Sequence, residues 1–134
     1  QTDFTSNATV FEADLIITDW SDIAFEYAFT TLRPVLFVNT PMKIMNPEYQ
    51  KIDTVPINIF LRDKIGRTID TDKLDDILPM IMDMLSRASE YQSVIKDYLC
   101  QYVYNLGTSD EVAARYILQS LQNKQKKSRG EQVI

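Results

Sequence analysis

Histidine is absent from the 134 residues. With it go the commonest general base near neutral pH and the commonest metal ligand. Cysteine occurs once, as Cys100, so no internal disulfide can form and a reducing compartment is the natural setting. Lying in a stretch of helical spacing, Cys100 is expected as a small core residue. Zinc-type spacing of cysteines or carboxylates is missing. The acidic pairs Asp70-Asp72 and Asp75-Asp76 lack the glycine and closing glutamate of a calcium loop, and read as a helix start and its solvated face. Neither a metal nor an organic cofactor is expected. Apolar runs stay far short of the 18 residues a membrane span needs. The start, Gln1-Thr2-Asp3-Phe4, has neither the basic nor the apolar region of a signal peptide and no methionine, and is expected to belong to a longer, cytoplasmic protein. Positive charge is scarce as well. Fourteen Lys and Arg face nineteen Asp and Glu, a net charge of −5, which excludes general nucleic-acid binding.

What is present describes an ordinary globular chain, 45% apolar and 25% charged, of single-domain length. Residues 1–7 are polar and expected to be loose, and 10–12 to end a helix or loop. Residues 15–18 form a buried strand, and 22–30 read as a helix apolar on most sides, hence buried on most sides. Pro34 precedes a second apolar strand at 35–38. Two such strands joined by a helix make a parallel β–α–β unit. Between 39 and 68, Pro41, Asn46-Pro47 and Pro56 punctuate the chain. There 42–45 fit a short turn, 57–61 a third strand or an extended loop, and Gly66-Arg67 another turn. Three helices follow. The first is capped by Asp70 or Thr71, with the stripe Leu74, Ile77, Leu78, Ile81 and Leu85 inward. The second spans 88–104, with Tyr91, Val94, Ile95, Tyr98, Leu99 and Tyr102 inward; Tyr104 also follows the helical spacing and reads as packing. The third opens at Thr108, with Glu111 completing a capping box. After Gln122 come Lys124, Lys126, Lys127 and Arg129, expected as a frayed basic tail over 123–134; four charges are a weak signal for contact with an anionic membrane surface. The class is α/β: a small parallel sheet and several C-terminal helices over 1–122.

The chemistry concentrates at the corner where the first strand turns into the first helix, Thr18-Asp19-Trp20-Ser21-Asp22. The first N–H groups of a helix have no partner within it and, with the helix dipole, favour an anion. Open parallel sheets bind ligands at this carboxyl edge. Ser21 stands at the helix start, where it serves a phosphate or merely caps the helix. Thr18 and Asp19 end the strand; Asp19 binds ligand or stabilises the turn. Glu26 lies a turn further on, a ribose acceptor or a solvated carboxylate. Arg33 carries a planar donor fork suited to phosphate, or simply tops the next strand. Thr108 and Ser109 open a later helix after Gly107, as caps or as a second anion site.

The run ADLIITDWSDIAFEYA followed by RPVLFV resembles the donor-binding signature of the CDP-glycerol glycerophosphotransferases of teichoic-acid and capsule synthesis. Thr18, Asp19, Ser21, Phe25, Glu26, Arg33 and Pro34 fit that pattern. Trp20 stands where the family has tyrosine, and Asp22 where it has a second serine. The likeness covers residues 11–40, with a weaker echo at 104–111. It implies a Rossmann-like domain, the C-terminal half of a GT-B-type transferase, that binds a CDP-linked donor such as CDP-glycerol for transfer to a polymer acceptor at the inner face of the bacterial membrane. It implies that Glu26 binds ribose hydroxyls and that the acceptor site and histidine base lie on an N-terminal domain, so that no catalytic residue is assigned here.

Asp22 is the departure with a consequence, since a carboxylate at a helix start competes with phosphate for the same N–H groups; either it points away from the ligand or it weakens donor binding. A GT-B glycosyltransferase or epimerase using a UDP- or GDP-sugar needs the same corner, and a non-catalytic α/β interaction module fits the lack of histidine. A sheet of two assured strands is thin, so an exposed strand edge offers self-association.

Overall fold

The computed structural model describes residues 8–42 and 46–130. The loose start expected at 1–7, most of the turn expected at 42–45, and residues 131–134 lie outside the described residues. Contacts divide the chain into two units, Gln1–Leu99 and Cys100–Ile134.

The first unit is mixed α/β. A 3-10 turn, Ala8–Glu12, leads into strand β1, Ile16–Thr18. Helix α1 spans Ile23–Thr31 and strand β2 Val35–Asn39. β1 and β2 are parallel, with Ile16 beside Val35 and Thr18 beside Phe37. The β–α–β unit therefore falls close to its sequence boundaries. α1 buries Ala24, Tyr27 and Ala28. It ends on Leu32, in the left-handed region at φ 57°, whose N–H closes on the Ala28 carbonyl. Burial raises the pKa of the Tyr27 phenol, which donates to the Ala13 carbonyl at 2.7 Å.

Beyond the turns at 46–56 the chain departs from expectation. Residues 57–61 form neither strand nor extended loop. Helix α2, Ile57–Phe60, starts directly after Pro56, whose carbonyl accepts from the Ile59 and Phe60 N–H groups. Proline's fixed φ and missing N–H suit a helix start. Helix α3, Arg62–Ile65, follows at once. The third strand is instead β3, Gly66–Asp70, where a turn was expected. It runs parallel to β2, giving the order β1-β2-β3. Gly66 has extended backbone at φ −171°, so conformation does not demand glycine. Space does, because a Cβ there would collide with the Val35 carbonyl oxygen. Strand alternation puts Leu36, Val38 and Ile69 on one sheet face and Val35 and Phe37 on the other. The central strand is buried on both, with Val35, Leu36 and Phe37 closed to solvent, as parallel sheets require.

A 3-10 stretch, Thr71–Asp76, leads to helix α4, Ile77–Ser86, and then to α5, Ala88–Tyr102. Asp70 makes no capping bond. The stripe of α4 that packs inward is Ile77, Met80, Ile81 and Met84, on Leu36 and Ile69. Leu74, Leu78 and Leu85 of the expected stripe are exposed. A helix apolar over two adjoining stripes does not say which one its sheet will cover. In α5, Ile95 is buried and Tyr91 half-buried, whereas Val94 is exposed. Tyr98 sets its ring edge-on against Phe60, centroids 6.3 Å apart.

The second unit holds the end of α5, a turn with Asn105 and Gly107 at positive φ, and helix α6, Ser109–Gly130. Cys100 is exposed rather than in the core, and Tyr104 is likewise exposed. α6 continues past Gln122 because Lys, Gln and Arg are good helix formers. Among the described residues, no helix is long and apolar enough to cross a membrane.

The close seam between β2 and β3 gives a direct check. Gly66→Ala is expected to lower stability by about 1–3 kcal/mol through overpacking, read as a lower urea midpoint with unchanged slope.

Candidate functional site

The three parallel strands deliver Thr18-Asp19, Asn39-Thr40 and Asp70 to one edge of the sheet. The β1–α1 corner lies there and is open: Asp19, Ser21 and Asp22 are exposed. The Ser21 carbonyl accepts from the Ala24 N–H at 3.3 Å and that of Asp22 from Phe25 at 3.0 Å, which begins the helical ladder. Asp22 occupies the cap position, yet its side chain makes no capping hydrogen bond. Its carboxylate therefore does not occupy the N–H groups it was expected to contest, and only its charge opposes an anion.

What holds this corner comes from far along the chain. Arg62 is 4% exposed. Its guanidinium donates to the Asp19 carbonyl at 2.6 Å, to Asn39 Oδ1 at 3.0 Å and to the Val38 carbonyl at 3.4 Å. The same group lies 3.8 Å from the Trp20 ring centre and 4.6 Å from that of Phe37. Among the described residues it makes no ion pair. Burial lowers its pKa, partly opposed by Asp63 and Asp19, and an arginine stays charged regardless. Carbonyl dipoles and two aromatic faces thus solvate a buried cation beneath the turn. Trp20 is fixed further by its indole N–H, which donates to the Thr40 carbonyl at 2.8 Å. The Thr40 hydroxyl reaches the Asp19 carboxylate at 3.4 Å. Asn39 donates to Asp70 at 2.8 Å, and with Lys73 this holds the Asp70 carboxyl below its usual range.

The sequence candidates separate into groups. Thr18, Asp19, Ser21 and Asp22 come together at the corner, with Glu26 exposed in the first turn of α1. Arg33 does not join them. It sits just before β2, at the opposite edge, where it donates to the Ala13 and Glu12 carbonyls at 2.7 and 3.1 Å and approaches Asp14 at 3.9 Å. Parallel pairing makes this unavoidable, since residues that precede one strand lie far from those that follow another. Thr108 and Ser109 belong to the second unit. The Thr108 carbonyl accepts the Val112 N–H, and its hydroxyl lies 3.4 Å from the Asn105 carbonyl, which is the work of a helix start. Missed altogether were Arg62, Trp20 and Asn39 as the corner's supports. A lone arginine directly after the apolar Ile59-Phe60-Leu61 was the available signal.

Among the described residues, no cluster of three or more acidic, cysteine or histidine side chains could hold a metal ion. What the corner presents to solvent is the start of α1, the Ser21 hydroxyl and the Asp19, Asp22 and Glu26 carboxylates, donors suited to an anion and acceptors suited to hydroxyls. Comparison with known proteins returns nothing: no family model, curated protein or solved structure matches the chain.

Two measurements probe this support. Arg62→Met keeps the length and removes the donors, leaving the Asp19 carbonyl and Asn39 Oδ1 unpaired. A loss of about 2–4 kcal/mol is expected in denaturant unfolding, with a shifted Trp20 emission in the folded state. The second measurement concerns Asp70, whose folded pKa lies below the usual 3.8. Its stabilising effect is therefore present above that value and fades as pH falls through the folded one. Asn39→Ala removes the largest cause and is expected to raise the Asp70 pKa toward 3.8 in a carboxyl-carbon NMR titration.

Proposed function

We propose that this chain is the donor-nucleotide-binding part of a transferase that moves glycerol phosphate, or a related polyol phosphate, from a CDP-linked donor to a cell-wall or capsule polymer. The observation that carries the reading is the open, uncapped start of α1 at the carboxyl edge of a parallel sheet. The resemblance of residues 11–40 to the glycerophosphotransferase signature supplies the donor class. In this reading the sheet belongs to a Rossmann-like domain of GT-B type, and the N–H groups following Ser21 hold the diphosphate while Ser21 adds its hydroxyl. Glu26 accepts from the ribose hydroxyls. An acceptor hydroxyl oxygen forms a bond to the donor's β-phosphorus as the bond from that phosphorus to the bridging oxygen breaks. CMP leaves with the electron pair, and helix N–H groups offset its charge. The hydroxyl proton goes to a base outside this histidine-free chain. Polymer acceptors of this kind bring the parent protein to the inner face of the membrane.

A thermal-shift panel of CDP, CMP, UDP and GDP tests the reading. CDP is expected to raise the melting midpoint most. A larger rise with UDP or GDP favours a sugar-nucleotide enzyme, and a flat panel favours a non-catalytic module; either result overturns the proposal. Asp22→Ser removes one negative charge beside the site, worth about 1 kcal/mol at ~4 Å in water. Calorimetric titration is expected to show CDP binding about fivefold tighter to the variant, and equal or weaker binding contradicts the charge argument.

A further inference from the structure

A cleft of about 320 Å³ lies between the start of β3 and α5, a volume in the range of small-molecule sites. Gly66 opens β3 beside Val35, so the cleft sits at the other end of the strands from the α1 corner. Tyr91 and Val94, one turn apart on α5, give it an apolar side. Tyr91 is half-buried and packs on the Leu36–Ile69 cluster. Lys64, Arg67 and Arg87 also line the cleft. Much of this charge is already matched. Arg87 donates twice to Glu90, at 3.1 and 2.7 Å, and Arg67 once to Asp83 at 2.9 Å. Asp63, on the rim, accepts from the Thr68 hydroxyl at 3.3 Å. What is left over is donors. Arg67 uses one of the five N–H groups that a guanidinium carries. Among the described residues the Lys64 ammonium has no hydrogen bond or ion pair, and the Tyr91 hydroxyl has none either. Burial raises the pKa of that phenol, opposed by the charges of Arg67 and Arg87, so it keeps its proton at neutral pH and can donate.

We propose that this cleft binds a small organic acid, a single carboxylate carried on a compact apolar body. The free edge of the Arg67 guanidinium and the Lys64 ammonium take the carboxylate, for which a planar donor fork is suited. The Tyr91 hydroxyl adds a donor, and the Tyr91 ring and Val94 cover the apolar body. Arg87, held by Glu90, is wall rather than ligand. One unpaired cation suits one negative charge, which disfavours a polyphosphate. A bare inorganic anion would leave the apolar side unused, and a neutral molecule would leave the donors unused. The inference is independent of the nucleotide reading, since none of these residues belongs to the α1 corner.

Amide proton–nitrogen NMR titration of the full chain tests it, with benzoate as the probe. Acetate, which lacks the apolar body, and benzamide, which lacks the charge, are the controls. Benzoate is expected to give saturable shifts at Lys64, Arg67, Tyr91 and Val94, with a dissociation constant below about 5 mM. Acetate and benzamide are expected to bind at least about fivefold more weakly. Lys64 is exposed and unpaired, so Lys64→Gln is expected to leave the melting midpoint unchanged. The same variant is expected to weaken benzoate about three- to fivefold. Four results overturn the proposal: no saturable shifts with benzoate up to about 20 mM, shifts confined to residues outside the cleft, a control that binds as tightly as benzoate, or unchanged benzoate binding by Lys64→Gln.

Discussion

The buried guanidinium of Arg62 is the interaction on which the arrangement of the sheet's carboxyl edge depends. It binds the main chain just after β1 and just before the end of β2, and through Asn39 it connects to the carboxylate that ends β3. A charge this deeply buried is costly unless its donors are satisfied. Here the satisfaction comes from carbonyls that only this one arrangement of the three strand ends can supply. The cation thus stabilises one geometry of the corner rather than merely adding attraction. Trp20 and Phe37 close over its faces and keep water away from the bonds.

The proposed function rests on what this support leaves unused. Arg62 draws on main-chain carbonyls and an amide oxygen, so in the proposed reading the N–H groups of Asp22 and Ile23, ahead of those that donate to the Ser21 and Asp22 carbonyls, serve the ligand. Asp22 does not turn back to cap them. The corner is hydrogen-bonded beneath and open above, the combination that a preorganised anion site requires. In the proposed reading its acidic surroundings restrict the ligand. A bare phosphate would meet the Asp19, Asp22 and Glu26 carboxylates with only the buried Arg62 charge beneath them to offset three negative groups, whereas a ligand that carries hydroxyls beside its phosphates gives those carboxylates donors to accept from.

The β1–α1–β2 unit was legible because each of its signals is local. Four apolar residues, a polar corner, an apolar helix and Pro34 leave little choice of period or boundary. Residues 57–70 were not legible for the opposite reason. The run Ile57-Asn58-Ile59-Phe60 is too short to show a period, and Gly66 stands in a strand because of its closeness to Val35, a tertiary fact. Periodicity found α4 and two of its inward residues, Ile77 and Ile81, but took Leu74, Leu78 and Leu85 with them, since two apolar stripes adjoin and only the sheet decides between them. At the site, Ser21, Asp22 and Glu26 lie near one another at the start of one helix and came together as read. Arg33 went to the opposite edge once the strands paired. Arg62 acts on Asp19 across 43 positions of sequence, and no local pattern announces such a partner.

The central claim is that the amides opening α1 receive a diphosphate at a corner held by Arg62. Amide proton–nitrogen NMR spectra recorded during titration with CDP test it most directly. The account expects saturable shifts concentrated at Asp22 and Ile23, with smaller ones at Trp20, Ala24 and Glu26. Shifts that cluster elsewhere on the chain, or none at all, would contradict it.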